Sequence, residues 1–135
     1  MIQFNFPTVL LYGENSINEL PSHIKQKNLN RLLIVTDPGL VEIGLADDVR
    51  KKLNFSGLDI KIFDNVHSNP LENDVTLGVA AYQSGNYDGI IALGGGSAMD
   101  VAKTIRFMAV HQPPLYQYDD AIGGDTKIVN SLPPL

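Results

Sequence analysis

Cysteine is missing altogether from the 135-residue chain. That excludes disulfides, thiolate metal sites and thiol nucleophiles, and leaves any chemistry to other groups. Basic charge is scarce as well. Ten Lys and Arg stand against fifteen Asp and Glu, a formal net charge of -5, and the ten are scattered rather than clustered. A nucleic-acid partner, which needs a basic face, is therefore not expected. No apolar run nears the roughly 20 residues that cross a bilayer, so no membrane partner is expected either. The N-terminus lacks the basic region, apolar core and small-residue cleavage site of a secretory signal, and a cytoplasmic location is expected. Histidine is sparse: His23, His67 and His111 are spaced too widely for a ligand set, each reads as a surface or packing residue, and no metal site is assigned. Repeats, low-complexity tracts and flexible linkers are lacking too, so residues 1–135 read as one domain.

What is present is the composition of a globular protein, with 44% hydrophobic and 19% charged residues, in a length that buries a core sufficient for independent folding. Leu32–Thr36, Ile60–Phe63 and Gly89–Leu93 read as strands of a parallel sheet buried on both faces. Between them lie stretches of helical spacing, Leu45, Val49 and Leu53 in one and Val75, Val79 and Tyr82 in the next. This β-α-β-α-β-α alternation predicts an α/β fold with a doubly wound, Rossmann-like, mostly parallel sheet. Ahead of it, Phe4, Phe6 and Thr8–Tyr12 suggest one or two further strands, and Asn15 or Ser16 can cap a helix through about Lys27. At the other end, Ser131–Leu135 stops where such a sheet enters its next strand.

The segment that carries chemistry is Gly94-Gly95-Gly96-Ser97-Ala98-Met99-Asp100-Val101-Ala102-Lys103, directly after a buried strand. Ala98, Val101, Ala102, Ile105, Met108 and Ala109 recur at three and four, so a helix starts near Ser97, its natural N-cap. Glycines let the backbone take unusual conformations and let a ligand reach bare N–H groups. The first helical turn adds free donors and the positive end of the helix dipole, a combination that suits a pyrophosphate. A tight strand-to-helix turn that needs glycine for geometry alone is the competing account. Neither the G-x-G-x-x-G fingerprint nor the G-K-[ST] ending of a P-loop is present.

Gly94 through Lys103 resembles the G-G-G-S-x-x-D-x-A-K signature of the iron-containing (group III) alcohol dehydrogenases. Val35-Thr36-Asp37-Pro38-Gly39-Leu40 resembles that family's strand ending in T-D, and Ser68-Asn69-Pro70 its P-N-P segment with Ser for the first Pro. The resemblance runs from about Phe4 to Leu135. It implies a dehydroquinate synthase-like N-terminal domain that binds NAD or NADP, with the helical second domain, which in the family holds iron or zinc, absent from this chain. It implies cofactor contacts from Asp37, Asn69, Pro70, Gly94, Gly95, Gly96, Ser97 and Asp100, with no catalytic residue among them. An acidic Asp37 at a strand end can accept hydrogen bonds from the adenosine ribose and repel a 2′-phosphate, which favours NAD over NADP. Capping of the next helix is the plainer role for Asp37, an ordinary N-P turn for Asn69 and Pro70, and an ion pair with Lys103 for Asp100. The resemblance further implies a homodimer paired through Phe4–Tyr12, with completion of the domain's own sheet by that segment as the open alternative.

Hydride transfer between an alcohol or aldehyde and a nicotinamide is the implied family reaction, with this chain inactive alone. A relative such as a glycerol dehydrogenase or dehydroquinate synthase stays open, although Ser97-Ala98-Met99-Asp100 fits the alcohol dehydrogenases better. A stand-alone nucleotide-binding or assembly module without catalysis also stays open. The alcohol substrate cannot be read from these residues.

Overall fold

In the computed structural model, the described residues are 8–54 and 57–135. The centre of the structure is β1 (Arg31–Val35), in which Leu32, Leu33, Ile34 and Val35 have no exposed surface. Such burial on both faces requires a strand flanked on both edges. β2 (Asp59–Phe63) and β3 (Gly89–Ala92) supply the flanks, both parallel to β1, in the order β2-β1-β3. Val35 lies level with Phe63 on one side and Ala92 on the other, so the carboxyl ends of the three strands are in register.

Alternation along β1 divides the core. Leu33 and Val35 face one apolar cluster, with Val75 and Tyr82 of α4 (Glu72–Ser84) and Val101, Ala102, Ile105 and Met108 of α5 (Gly96–Met108). Leu32 and Ile34 face the other, with Ile24 of α1 (Leu20–Gln26) and Val49 and Leu53 of α3 (Leu45–Leu53). Helices on both faces of a parallel sheet make the doubly wound α/β architecture that the alternation predicts. Within the first cluster α4 and α5 touch at Gly78, where an added Cβ would lie 2.1 Å from Cδ1 of Ile105.

Several local expectations are corrected. β2 is only partly buried, because it is an edge strand and Lys61 interrupts the apolar run in its middle. Leu45 is 41% exposed; the buried stripe of α3 is Ala46, Val49 and Leu53 instead. Asn15 makes no capping bond and has a left-handed φ of 62°, and a 3₁₀ turn at Ser16–Glu19 leads into α1. Thr8–Tyr12 do not form a strand, and among the described residues they hydrogen-bond to no sheet edge; Val9, Leu10 and Tyr12 are exposed. β-branched and aromatic residues become a strand only where a neighbouring edge completes the ladder, and neither edge of this sheet meets them. Phe4 and Phe6 lie outside the described residues.

After α5 the chain runs through short 3₁₀ turns back to the sheet. There Ile90 N–H donates to the Pro134 carbonyl at 3.0 Å, on the free edge of β3. Arg106 Nε donates to the neighbouring Pro133 carbonyl. The last residues thus lie along the outer edge of β3.

Candidate functional site

Strands in register end together, so the segments that follow them meet at one edge of the sheet. Thr36 N–H donates to Phe63 O and Leu93 N–H to Val35 O, both at 2.9 Å, and this carries the ladder one step past each strand before the chain turns. Thr36 is fully buried at this end of β1, and its hydroxyl oxygen has no hydrogen-bond partner among the described residues.

Asp37 comes next. It is the N-cap of α2 (Pro38–Glu42), its Oδ1 accepting from Leu40 N–H at 3.2 Å. Capping is therefore one role of this carboxylate. Its other oxygen faces the glycine loop: a Cβ built on Gly94 would lie 3.3 Å from Asp37 Oδ2.

The glycines of that loop divide into two kinds. Gly94 has a φ of 141°, and its added Cβ would stand 2.9 Å from Cβ of Ala98, so turn geometry alone demands glycine here. Gly95 has an ordinary φ of -81° and Gly96 is the first residue of α5; a Cβ on either would meet nothing within 4 Å. Neither the backbone nor the packing of this chain asks for glycine at those two positions. They open a space bordered by the N–H groups of Gly95, Gly96, Ser97 and Ala98, which have no acceptor among the described residues. Unpaired donors at a helix N-terminus, with the dipole behind them, hold an anion.

Ser97 is not the N-cap of α5, as its place in the sequence suggests. Gly95 takes that position in an extended conformation, and no side chain caps the helix. The Ser97 hydroxyl instead donates to the carbonyl of Ser68 at 2.9 Å, tying the glycine loop to the segment between β2 and α4. Asn69 and Pro70 follow on that segment, both exposed. Asp100, one turn into α5, is exposed, lies 3.5 Å from Lys103 Nζ, and lines a groove with Pro70, Val75, Thr104 and Tyr116. The structure thus gathers Asp37, Ser68–Pro70 and Gly94–Ser97 around one edge, with Asp100 on its flank.

A residue that sequence reasoning passed over fixes part of this arrangement. Asp74, at the third position of α4, has no exposed surface. Its carboxylate accepts from Leu71 N–H at 3.0 Å, from His67 N–H at 3.4 Å and from His67 Nδ1 at 2.8 Å. Burial pushes its pKa up, but the hydrogen bonds from Leu71 and His67 together outweigh that and hold it below the ordinary carboxyl value. The available signal was an acid at the third position of a helix that follows an N-P turn.

Of the remaining histidines, His111 is buried, stacked on Phe107 at 4.2 Å and bonded through Nδ1 to the Phe107 carbonyl. Among the described residues no group of three or more His, Cys, Asp or Glu could hold a metal ion. None of the helices described is long and apolar enough to cross a membrane.

Comparison with known proteins identifies the family. Residues 7–135 match the model of a family described as iron-containing alcohol dehydrogenase. The chain belongs to that family. A choline dehydrogenase of Bacillus subtilis is 35% identical over 132 residues, which are 98% of this chain and 33% of the relative. An NAD-dependent methanol dehydrogenase of Bacillus methanolicus is 32% identical over 129 residues, 96% of this chain and 34% of the relative. A crystal structure of a 1,3-propanediol oxidoreductase superposes with a TM-score of 0.81 at 34% identity, covering 87% of this chain and 31% of the other. The chain spans about a third of the length of these iron-containing alcohol dehydrogenase relatives.

Proposed function

We propose that residues 1–135 form a dinucleotide-binding domain of a metal-dependent alcohol dehydrogenase, and that the cofactor it grips is NAD. The observation that carries this reading is the pair Gly95 and Gly96, which lack side chains where the fold leaves room for them and border unpaired N–H donors. On this reading the pyrophosphate takes the N–H groups of Gly95 to Ala98. The free Oδ2 of Asp37 accepts from the adenosine ribose hydroxyls and repels a 2′-phosphate, so NAD is favoured over NADP. Asn69 and Pro70 border the adenosine side, and Asp100 the nicotinamide ribose side. The NAD dependence named for the Bacillus methanolicus relative supports the choice.

When bound, NAD supplies the acceptor for a hydride leaving the carbinol carbon of an alcohol. This chain's residues hold the two phosphates, orient the riboses and set which dinucleotide enters. The described residues do not fit a metal ion, so the 135 residues by themselves are expected to bind cofactor without oxidising alcohols. The same reading places the protein in the cytoplasm and pairs its N-terminal segment with a second copy, which the exposure of Val9, Leu10 and Tyr12 favours.

Calorimetric titration of the purified chain with NAD, NADP and divalent iron or zinc is the test. Uptake of NAD, weaker uptake of NADP and no metal uptake are expected. Absence of any dinucleotide binding by the wild-type chain would overturn the reading, as would metal-dependent turnover of an alcohol by the 135 residues alone.

A further inference from the structure

Asp74 is the one carboxylate among the described residues that is fully buried, and the dinucleotide reading gives it no contact with the ligand. At the third position of a helix an acid need only satisfy the N–H of the N-cap, here Leu71. Asp74 does more. Its Oδ2 also faces His67 N–H at 3.4 Å, and its Oδ1 accepts from His67 Nδ1 at 2.8 Å. These donors stand on either side of Ser68, Asn69 and Pro70. From inside the bracketed stretch, Ser68 O accepts the Ser97 hydroxyl of the glycine loop at 2.9 Å. A buried carboxylate with all its partners in one short loop exchanges its own desolvation for the fixed position of that loop.

We infer that Asp74 is a positioning residue for dinucleotide binding: it clamps the Ser68–Pro70 loop at both ends, and through Ser68 and Ser97 sets that loop against the glycine cradle. The inference rests on the dinucleotide reading, because the clamped loop matters only if Asn69 and Pro70 border the ligand. Three residues held in one conformation before binding do not have to be ordered by the ligand, and affinity gains by the ordering cost avoided.

The test uses Asp74→Asn and Asp74→Leu in the whole chain, with NAD titration by calorimetry and native-state amide exchange of His67, Leu71 and the β1 amides. The amide oxygen of Asn can still accept from both backbone donors, whereas Leu keeps similar bulk and accepts nothing. D74N is expected to keep the protection of His67 and Leu71 and to bind NAD within about threefold of wild type. D74L is expected to lose protection at His67 and Leu71 and to bind NAD at least about tenfold more weakly, with β1 still protected. Undiminished NAD affinity in D74L, or a loss of protection spread equally over β1, overturns the clamp; the second outcome makes Asp74 a stabilising residue only. A wild type that binds no NAD sinks the dinucleotide reading and this role for Asp74 with it, while the exchange pattern still decides whether Asp74 holds the loop.

Discussion

Replacing Gly94 and Gly95 one at a time by alanine separates what the fold needs from what a ligand needs. At Gly94 an L-residue must accept a φ of 141° and a Cβ 2.9 Å from that of Ala98, which is itself buried and backed by the sheet. A residue held in so sparsely populated a region costs about 1–3 kcal/mol, and the overlap adds to it. For a domain of this size that corresponds to a fall in Tm of roughly 4–12 °C. At Gly95 the φ of -81° suits alanine and the Cβ meets nothing. Loss of backbone freedom in the unfolded chain stabilises by about 0.4–1 kcal/mol, and alanine's poorer showing as an N-cap offsets it by a similar amount, so Tm should stay within about 3 °C. Binding should respond the other way round. A methyl group at Gly95 keeps the pyrophosphate from one or two charge-assisted N–H bonds, worth roughly tenfold to a hundredfold in Kd. Differential scanning calorimetry and NAD titration on the same samples give both numbers. A Gly95→Ala chain that binds NAD like wild type, or one that unfolds as early as Gly94→Ala, would refute the division of the glycines into two kinds.

Three further outcomes are expected. Asp37→Asn keeps a side-chain acceptor for Leu40 N–H but removes the charge, so Tm should move little while the preference for NAD over NADP narrows by about tenfold, read by parallel titrations. Gly78→Ala drives a methyl group into Ile105, which has no exposed surface, and should cost about 1–3 kcal/mol in urea unfolding by prising α4 from α5. Asp74 is held below its ordinary carboxyl pKa, so its contribution to stability is complete above the unfolded value near 3.8 and fades as pH falls through the lower folded value. Asp74→Asn should therefore flatten the acid limb of a stability profile taken from pH 5 downwards, and an unchanged limb would contradict the carboxylate's assigned partners.

The parts of the fold legible in sequence are those decided by one strong force. Leu32 to Val35 form an unbroken apolar run, and only a central strand uses four such residues in a row; the spacing of Ala98, Val101, Ala102 and Ile105 admits only one helix face. Legibility failed where two demands compete for a residue. Lys61 marks β2 as an edge, yet the apolar residues around it suggested burial. Ser97 looks like a cap because serine at a helix start so often is one, but Gly95 already holds the extended backbone, and the Ser97 hydroxyl donates to the Ser68 carbonyl where a cap would accept from a helix N–H. Asp74 resembles any acid in a first turn, and only its three donors, on His67 and Leu71, reveal a different duty. For the site, the pattern of glycine, serine and aspartate raised the dinucleotide expectation, while the structure showed which glycines the chain itself requires.

The two outer strands also bear on how the protein behaves in a crowded solution. Among the described residues, the three-stranded parallel sheet has two outer edges whose backbone groups no further strand pairs, each a template onto which another molecule could grow a fibril. On β2 the charged Lys61 sits in the middle of the exposed row, where a docking strand would have to bury it. On β3 the row is interrupted by Pro133 and Pro134, neither of which has an N–H with which to extend a ladder, while the Pro134 carbonyl occupies the Ile90 donor. A change of Lys61 to Val, or of the two prolines to residues that donate, would lower the concentration at which the purified chain clouds, without altering any contact that holds a single molecule's core.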